Sequence, residues 1–315
     1  MVVPAVQLYF IESENIMTTR RDALKTIAAT GVAMSAIGSN SAWAKKPGLN
    51  LKHFPAGENG FFRAPVLLTG AHDAVLIDAG FTFSDGKALA EAIKATGKKL
   101  TTIYISQSDP DYYFGLSQIK AAFPAARVIA ASSTIAAIKG SVDKKLATWG
   151  PQLKDNGPQT LADVVMPEAF DGKALHLEDK TIEIIDADGL ANRRYLWVPS
   201  LKAIVGGVMV FSGVHVWTAD TAGAEARATW VKNLEAMAAR KPAMVIPGHM
   251  TPGAVIDISA ITYTKNYLLA FEEELAKAAN SADLIAAMSK RYPDAGMGIA
   301  LQIGAKVAKG EMKWG

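Results

Sequence analysis

Short apolar strands alternate with amphipathic helices from residue 64 onward, and neither a repeat nor a linker rich in Pro, Gly or Ser interrupts them. Such alternation is typical of an α/β domain, in which helices cover the faces of a sheet. The strands are expected at residues 64–68, 74–77, 100–105, 127–131, 195–198, 203–211 and 243–246, with helices at 87–96, 115–122 and 224–239, antiparallel strands within 160–185 that turn at 171–172 and 178–179, and mainly helical structure after 260. The sequence therefore predicts one α/β domain with a helical C-terminal extension.

The composition of the 315-residue chain excludes several classes of function. The 33 basic and 30 acidic residues leave a net charge of +3, too balanced for a protein that binds nucleic acid electrostatically. The chain has no cysteine, so disulfides, thiol catalysis and cysteine metal ligands are excluded. No apolar run approaches the roughly 20 residues that a membrane-spanning helix needs.

The N-terminal segment has the features of an export signal. Arg20 and Arg21 precede a weakly apolar stretch at 26–37, and a small-residue cleavage box ends at Ala44. This order resembles a twin-arginine signal, which carries a folded protein into the bacterial periplasm. We expect cleavage near Ala44 and a periplasmic location, with a short amphipathic N-terminal helix as the alternative.

Residues 1–16 resemble no part of such a signal, so Met17 rather than Met1 is the expected start. Three segments follow from these observations. They are an N-terminal extension plus signal at 1–44, a main domain at 45–258, and a helical extension at 259–315 packed on the same domain.

Four motifs at expected strand ends resemble those of one family. They are LIDAG at 76–80, SQSDPDYYFG at 106–115, the hairpin of YLWVP at 195–199 with AIVGG at 203–207, and IPGH at 246–249. In this order and spacing they resemble the metallo-β-lactamase superfamily. The resemblance covers roughly residues 51–254 and implies an αββα sandwich: two sheets face to face, helices outside, and the active site at one end.

The family binds one or two metal ions, usually zinc, which turn a bound water into a hydroxide nucleophile. Its ligands come from an H-x-H-x-D-H motif, a later His, a bridging Asp and the final P-G-H turn. At the matching positions this chain carries Gln107, Asp109, Asp111, Tyr112, Gly189, Gly207 and His249. Because Asp111 and His249 alone match the family's ligands, the resemblance implies a degenerate metal motif and no dinuclear zinc centre.

Two interpretations of the remaining polar residues stay open. In one, Asp109, Asp111 and His249 hold a single hard divalent ion, for which carboxylates are suitable ligands. Gln107 or Asp188 would assist, and Asp111 or Asp109 would act as the catalytic base. In the other, which we adopt, no cofactor is bound; Asp111 caps the helix that follows it, and His249 forms a hydrogen bond in a metal-free pocket. The expectation is no cofactor, or at most one divalent metal ion.

Aromatic and polar residues near this motif are expected to line a ligand pocket. His215 lies beside a Trp after the hairpin that faces the active site in the family, and two tyrosines follow Asp111. The expected pocket residues are Gln107, Tyr112, Tyr113, Asp188 and His215.

Three further charged residues have structural interpretations. Asp78, which ends a strand, is expected to be a structural acceptor rather than a catalytic group. Arg193 and Arg194 either meet an anionic ligand or lie on a solvated hairpin, and we adopt the hairpin.

The resemblance implies a hydrolase, but a chain without metal-binding imidazoles has no evident means of making hydroxide at neutral pH. We therefore expect an exported protein that binds a small molecule or a periplasmic partner protein without hydrolysing it. One alternative is a metal-dependent hydrolase of small esters or lactones that uses one atypically ligated ion. Another is a homodimeric structural subunit in which the C-terminal helices matter more than the pocket. Other catalytic motifs, including G-x-S-x-G and G-x-x-x-x-G-K, are absent.

Overall fold

The structure, a computed structural model, describes residues 48–314. The expected export signal, its cleavage site near Ala44 and the two candidate start residues lie outside the described residues. Within the described range, no helix is both long and apolar enough to span a membrane.

Two β-sheets form the centre of the described chain. In spatial order, the first sheet contains β1 (Asn50–His53), β2 (Val66–Thr69), β3 (Asp73–Ile77), β4 (Lys99–Ile105), β5 (Arg127–Ala130) and β6 (Glu168–Ala169). The second sheet contains, in spatial order, β12 (Met244–Val245), β10 (Ala203–Val205), β9 (Arg194–Val198), β8 (Lys180–Asp186) and β7 (Ala174–Leu177). A separate parallel pair joins β11 (Phe211–Ser212) to β13 (His249–Met250).

The two sheets differ in strand direction. In the first sheet, β1 to β3 are antiparallel and β3 to β6 are parallel. In the second, β7 to β10 are antiparallel, and β12 joins β10 in parallel.

The helices form two groups, one between the strands and one at the C-terminal end. They are α1 (Phe83–Ala95), α2 (Pro110–Tyr113), α3 (Leu116–Ala122), α4 (Ser132–Leu153), α5 (Ala224–Ala239), α6 (Ile258–Lys277), α7 (Ser281–Arg291) and α8 (Gly298–Ala308). Thr82 and Asp85 form a capping box that fixes the start of α1. Helix α6 packs against α5 and β11, and α7 and α8 follow it in sequence and in contact.

Alternating strand residues show how the layers are arranged. Val66 and Leu68 of β2 share a buried cluster with Leu196 and Val198 of the second sheet, whereas Leu67 belongs to the cluster that includes the helices. Successive side chains of a strand point to opposite faces. The sheets therefore pack face to face with helices outside, which confirms the predicted αββα sandwich, and α6 to α8 form its helical C-terminal extension.

The predicted pairing within residues 160–185 is wrong in part. Strand β6 pairs in parallel with β5 in the first sheet, while β7 pairs with β8 in the second, so Asp171-Gly172 connects two sheets and is not a hairpin turn. Because β6 has two residues and both are exposed, it carries no apolar alternation that would identify its partner. The turn expected at 178–179 does connect β7 to β8.

Helix α4 is absent from the predicted elements, although it is the longest described helix. Gly140 in its interior and Pro151 near its end both disfavour helices and interrupt the pattern. Its buried apolar residues nevertheless recur at helical spacing; they are Ile135, Ile138, Val142 and Leu146. This helix supplies one wall of the candidate site.

Candidate functional site

A cavity of about 710 Å³ lies beside the segment that joins β4 to α2. Its volume is within the range of about 300–1,000 Å³ that is usual for small-molecule sites. The aromatic residues that line it are Phe61, Phe81, Tyr112, Trp149, Trp217 and Trp314. The charged residues that line it are Asp109, Asp111, Lys144, Lys145, Arg193 and Asp220.

Asp111 and His249, which the sequence resemblance matches to metal ligands, are buried and both line this cavity. Asp111 lies in α2, and His249 begins β13, which its pairing with β11 holds in place. Oδ2 of Asp111 lies 3.5 Å from Nε2 of His249, and it makes no hydrogen bond with a described residue. The fold thus brings these two side chains together from distant parts of the sequence.

The ring of His249 is held on two sides. Its Nδ1 lies 2.8 Å from the carbonyl oxygen of Phe61, so Nδ1 is the protonated nitrogen and Nε2 is left as an acceptor. The ring also stacks on Phe211, with centroids 5.0 Å apart. Burial, with a further effect of the positive charge of Arg63, lowers the pKa of His249 to about 3. His249 is therefore neutral at physiological pH.

Asp111 has the opposite perturbation. Burial, and next the carboxylate of Asp109, raise the pKa of Asp111 to about 7, although Arg63 acts against this change. Near neutral pH the Asp111 carboxyl is therefore partly protonated and able to donate a hydrogen bond.

Arg63 places a positive charge next to these residues. Its side chain is fully buried, pairs with Asp78, and donates to the carbonyl oxygen of Gly248. Its guanidinium carbon lies 3.8 Å from the centroid of the Tyr112 ring. A guanidinium cannot be deprotonated in a protein, so this charge is permanent.

Asp78 organises the strand ends beneath the cavity. Its φ of +64° is in the left-handed region, and its carboxylate accepts hydrogen bonds from the backbone N–H and the hydroxyl of Ser106 at 2.8–2.9 Å. The hydroxyl oxygen of Ser106 in turn accepts from the N–H of Gly207 at 2.8 Å. Asp78 is thus a buried structural acceptor that ties Arg63 to two loops.

Asp109 and Gln107 have partners within the protein. Nζ of Lys145, on α4, lies 3.1 Å from Oδ1 of Asp109. Oε1 of Gln107 accepts from the N–H of Ser108 at 2.6 Å and lies 3.4 Å from Nδ2 of Asn192. Both residues line the cavity, and the positive charge next to Asp109 is that of Lys145.

Three of the expected pocket residues do not line the cavity. Tyr113 is buried against Phe114, with ring centroids 5.2 Å apart. The backbone of Asp188 bonds to Asn233 of α5, and the residue is exposed. His215 is buried, and its Nδ1 lies 2.9 Å from the hydroxyl of Tyr267. The structure brings Gln107, Asp109, Asp111, Tyr112 and His249 together and leaves these three outside.

Two local interpretations are wrong. Asp111 does not cap the following helix, because α2 already begins at Pro110 and Asp111 lies inside its first turn. Arg193 and Arg194 do not lie on a solvated hairpin, because their side chains are 5% and 4% exposed. Arg194 donates a hydrogen bond to Ser133 at the start of α4, a helix that the sequence pattern does not indicate.

Several residues in the cavity or packed next to it have no signal in the sequence. Arg63 meets Gly248 across 185 residues of chain, and no local pattern announces such a contact. Lys145 lies on α4, so a correct prediction of that helix would have been required first. Trp314 reaches the cavity through the C-terminal helices and donates to Asp220 at 2.8 Å.

Comparisons with known proteins agree with this fold. The sequence profile described as the metallo-beta-lactamase superfamily matches residues 60–249. A metallo-beta-lactamase family protein from Thermus thermophilus has a similar fold, with 16% identity and a TM-score of 0.55 over 84% of this chain and 93% of that one. A metallo-beta-lactamase from Pontibacter korlensis shares 17% identity, with a TM-score of 0.50 over 70% of this chain and 95% of that one. A search of curated proteins found no match.

Proposed function

The chain belongs to the metallo-beta-lactamase superfamily, and we propose that it binds a small organic molecule in the cavity without metal-dependent hydrolysis. In this proposal the metal site of the family has degenerated, while the fold and the cavity have been retained. The protein acts after export to the periplasm, once residues 1–44 have been removed, and the main domain and its helical extension form one folded unit. A periplasmic protein is the alternative ligand.

The observation that carries this proposal is the position of Arg63. Its guanidinium stacks on Tyr112, and its charge is close enough to lower the pKa of His249. A metal dication bound by Asp111 and His249 would therefore face a permanent positive charge in a buried site. Such repulsion is poorly screened away from water.

The side chains available as metal ligands also argue against a bound metal ion. Within residues 48–314, no group of three or more His, Cys, Asp or Glu side chains is arranged to hold a metal ion. Zinc sites in proteins use three or four such ligands. Asp109 already pairs with Lys145, so the described donors do not fit a metal ion of the kind that the family binds.

The backbone at residue 207 also argues against a bridging carboxylate. A Cβ atom on Gly207 would lie 1.9 Å from the carbonyl oxygen of Arg194, and the φ of Gly207 is +71°. Any side chain there would collide with backbone. Residue 207 therefore has room for hydrogen alone.

A metal-dependent hydrolase of small esters or lactones is the second candidate. It is favoured by the buried Oδ2 of Asp111, which lacks a hydrogen bond and lies 3.5 Å from Nε2 of His249. In that case Asp111 or Asp109 would be the base and Asp111, His249 and Asp109 the ligands of one divalent ion. The two candidates differ in what they require of a metal.

The test is metal content by mass spectrometry on protein purified without chelator, before and after incubation with zinc, manganese and iron. We expect less than about 0.1 metal ion per chain and a melting temperature that does not change with chelator. Near-stoichiometric metal that disappears in Asp111→Ala, together with metal-dependent ester or lactone hydrolysis, would establish the second candidate instead. Metal that persists in Asp111→Ala would come from elsewhere in the chain and leave the proposal intact.

A further inference from the structure

Four arginines are buried in the described part of the chain, and one of them lacks a close partner. The three with close carboxylate partners are Arg63 with Asp78, Arg194 with Asp186, and Arg227 with Glu272. Arg193 differs, since its Nη2 lies 3.6 Å from Oδ2 of Asp220 and its Nη1 makes no hydrogen bond with a described residue. Burial of a charge without a close partner is costly, so Arg193 calls for a functional explanation.

Asp220, whose carboxylate lies 3.6 Å from Arg193, is also hydrogen-bonded to two indole groups. Nε1 of Trp314 donates to Oδ1 of Asp220 at 2.8 Å, and the Trp217 side chain is a second hydrogen-bond partner of the same carboxylate. The two rings contact each other edge to face, with centroids 5.1 Å apart. The carboxylate of Asp220 therefore makes its close hydrogen bonds with neutral donors and only a long ion pair with Arg193.

Arg193 itself is held in place and faces the cavity. Its guanidinium carbon lies 4.9 Å from the centroid of the Trp230 ring, and the residue lines the 710 Å³ cavity while remaining 5% exposed. A planar guanidinium of this kind suits carboxylate and other oxyanions, which it binds through charge-assisted hydrogen bonds.

The other residues of the cavity indicate the chemistry of the uncharged part of the ligand. Trp149, Trp217 and Trp314 offer aromatic surface, and Lys144 lines the cavity without forming an ion pair to any described residue. Asp109 is already paired with Lys145, so it does not cancel the charge of Arg193. The cavity thus combines a buried arginine that has no close carboxylate partner with aromatic walls.

We propose that Arg193 binds the anionic group of a small organic anion, whose aromatic or apolar body packs against the tryptophans of the cavity. This inference rests on the proposed function, because it concerns the same cavity. The inference adds the class of the ligand, a small organic anion, and the residue that selects this class, Arg193.

The test uses two probes of equal shape, 2-naphthoate and the neutral 2-naphthamide, titrated calorimetrically into the full chain. We expect 2-naphthoate to bind about tenfold more tightly, as a charge-assisted hydrogen bond would produce. In Arg193→Gln, the affinity for 2-naphthoate should fall about tenfold, while that for 2-naphthamide stays the same. Arg127→Gln removes an equal charge from an exposed position and should change neither affinity.

A second variant separates this role from mere folding. Asp220→Asn removes the competing carboxylate, so the affinity for 2-naphthoate should rise several-fold, an effect that a damaged fold cannot produce. Equal binding of the two probes to the unmodified chain would overturn the inference and leave cavity binding intact. Absence of binding by both probes, or an unchanged or weakened affinity for 2-naphthoate in Asp220→Asn, would also overturn it. Metal content and hydrolysis test the proposed function separately.

Discussion

The guanidinium of Arg63 lies over the ring of Tyr112, 3.8 Å from its centroid, and the sequence resemblance matches Tyr112 to the last histidine of the family's metal motif. A cation and an aromatic ring therefore meet beside Asp111 and His249, next to the positions that the resemblance matches to the family's imidazole ligands. Contacts of this kind are worth about 2 kcal/mol or more when they are desolvated. The protein supplies its own positive charge to this part of the fold.

Replacement of Arg63 tests how much the buried pair contributes to stability. Arg63→Met leaves Asp78 as a buried charge without its partner, and we expect the free energy of unfolding to fall by about 3–5 kcal/mol. Urea denaturation measures it. Arg127→Met breaks an ion pair in which both side chains are more than 60% exposed, and it should cost less than about 1 kcal/mol. Equal losses in the two variants would contradict this role for Arg63.

The pH dependence of stability should show two opposing effects. The pKa of His249 is lowered to about 3, so the unfolded chain takes up a proton below about pH 6.5 and stability falls as pH falls. The pKa of Asp111 is raised to about 7, so the folded chain keeps a proton that the unfolded chain loses, and stability falls as pH rises from about 4 to 7. Between about pH 4 and 6.5 the two effects cancel.

Single substitutions should separate these effects. In Asp111→Asn the His249 effect remains, and the free energy of unfolding should rise with pH by up to about 1.4 kcal/mol per unit. In His249→Gln the slope should have the opposite sign. Urea denaturation at pH 4.5, 5.5 and 6.5 measures the slopes, relative to that of the unmodified chain. Slopes of the same sign in the two variants would disprove the assignment.

Residue 207 allows a direct attempt to restore a family ligand. Gly207→Asp should lower the free energy of unfolding by at least about 2 kcal/mol, because of its positive φ and the carbonyl of Arg194, and it should add no zinc binding. Gly223→Asp is the matched control: no atom lies within 4 Å of a Cβ there, and Asp is a favoured residue at the N-cap of α5. Stoichiometric zinc in Gly207→Asp would show that the backbone adapts.

Export depends on the paired arginines if the N-terminal interpretation is correct. Conversion of both residues in Arg20→Lys, Arg21→Lys should retain the protein in the cytoplasm, because the twin-arginine route requires the pair. Cell fractionation and immunoblotting report the distribution, and Lys25→Arg serves as a control that keeps the charge. Unchanged recovery from the periplasm would refute this prediction.

Much of the fold could be predicted because short-range patterns of apolar residues indicate the helices and strands. Helix α5 begins at Ala224 and ends at Ala239, as the periodicity predicts. Strands β3, β4 and β9 follow from apolar runs that end at the family motifs. Helix α4 and strand β6 could not be predicted in the same way, because helix-disfavouring residues interrupt one and the other is too short to have a period.

The site was less accessible to sequence reasoning. Asp111 and His249 come together as the motif order implies, but Arg63 and Arg193 gain their roles from residues far along the chain. His215 has a plausible local setting, yet its partner is Tyr267 in a helix that follows much later. Charge placement in a cavity is decided by tertiary contacts, which a single sequence does not reveal.

The collision between a side chain at residue 207 and the backbone carbonyl of Arg194 limits how this site can evolve. Hydrogen is the only substituent that fits, because the carbonyl of Arg194 occupies the volume that a side chain would need. A descendant of this chain could regain a carboxylate there only after its backbone had shifted first, a change without benefit of its own. Gly207 therefore makes the return of a carboxylate at this position difficult. New chemistry in this lineage would arise more readily from residues on the other walls of the cavity.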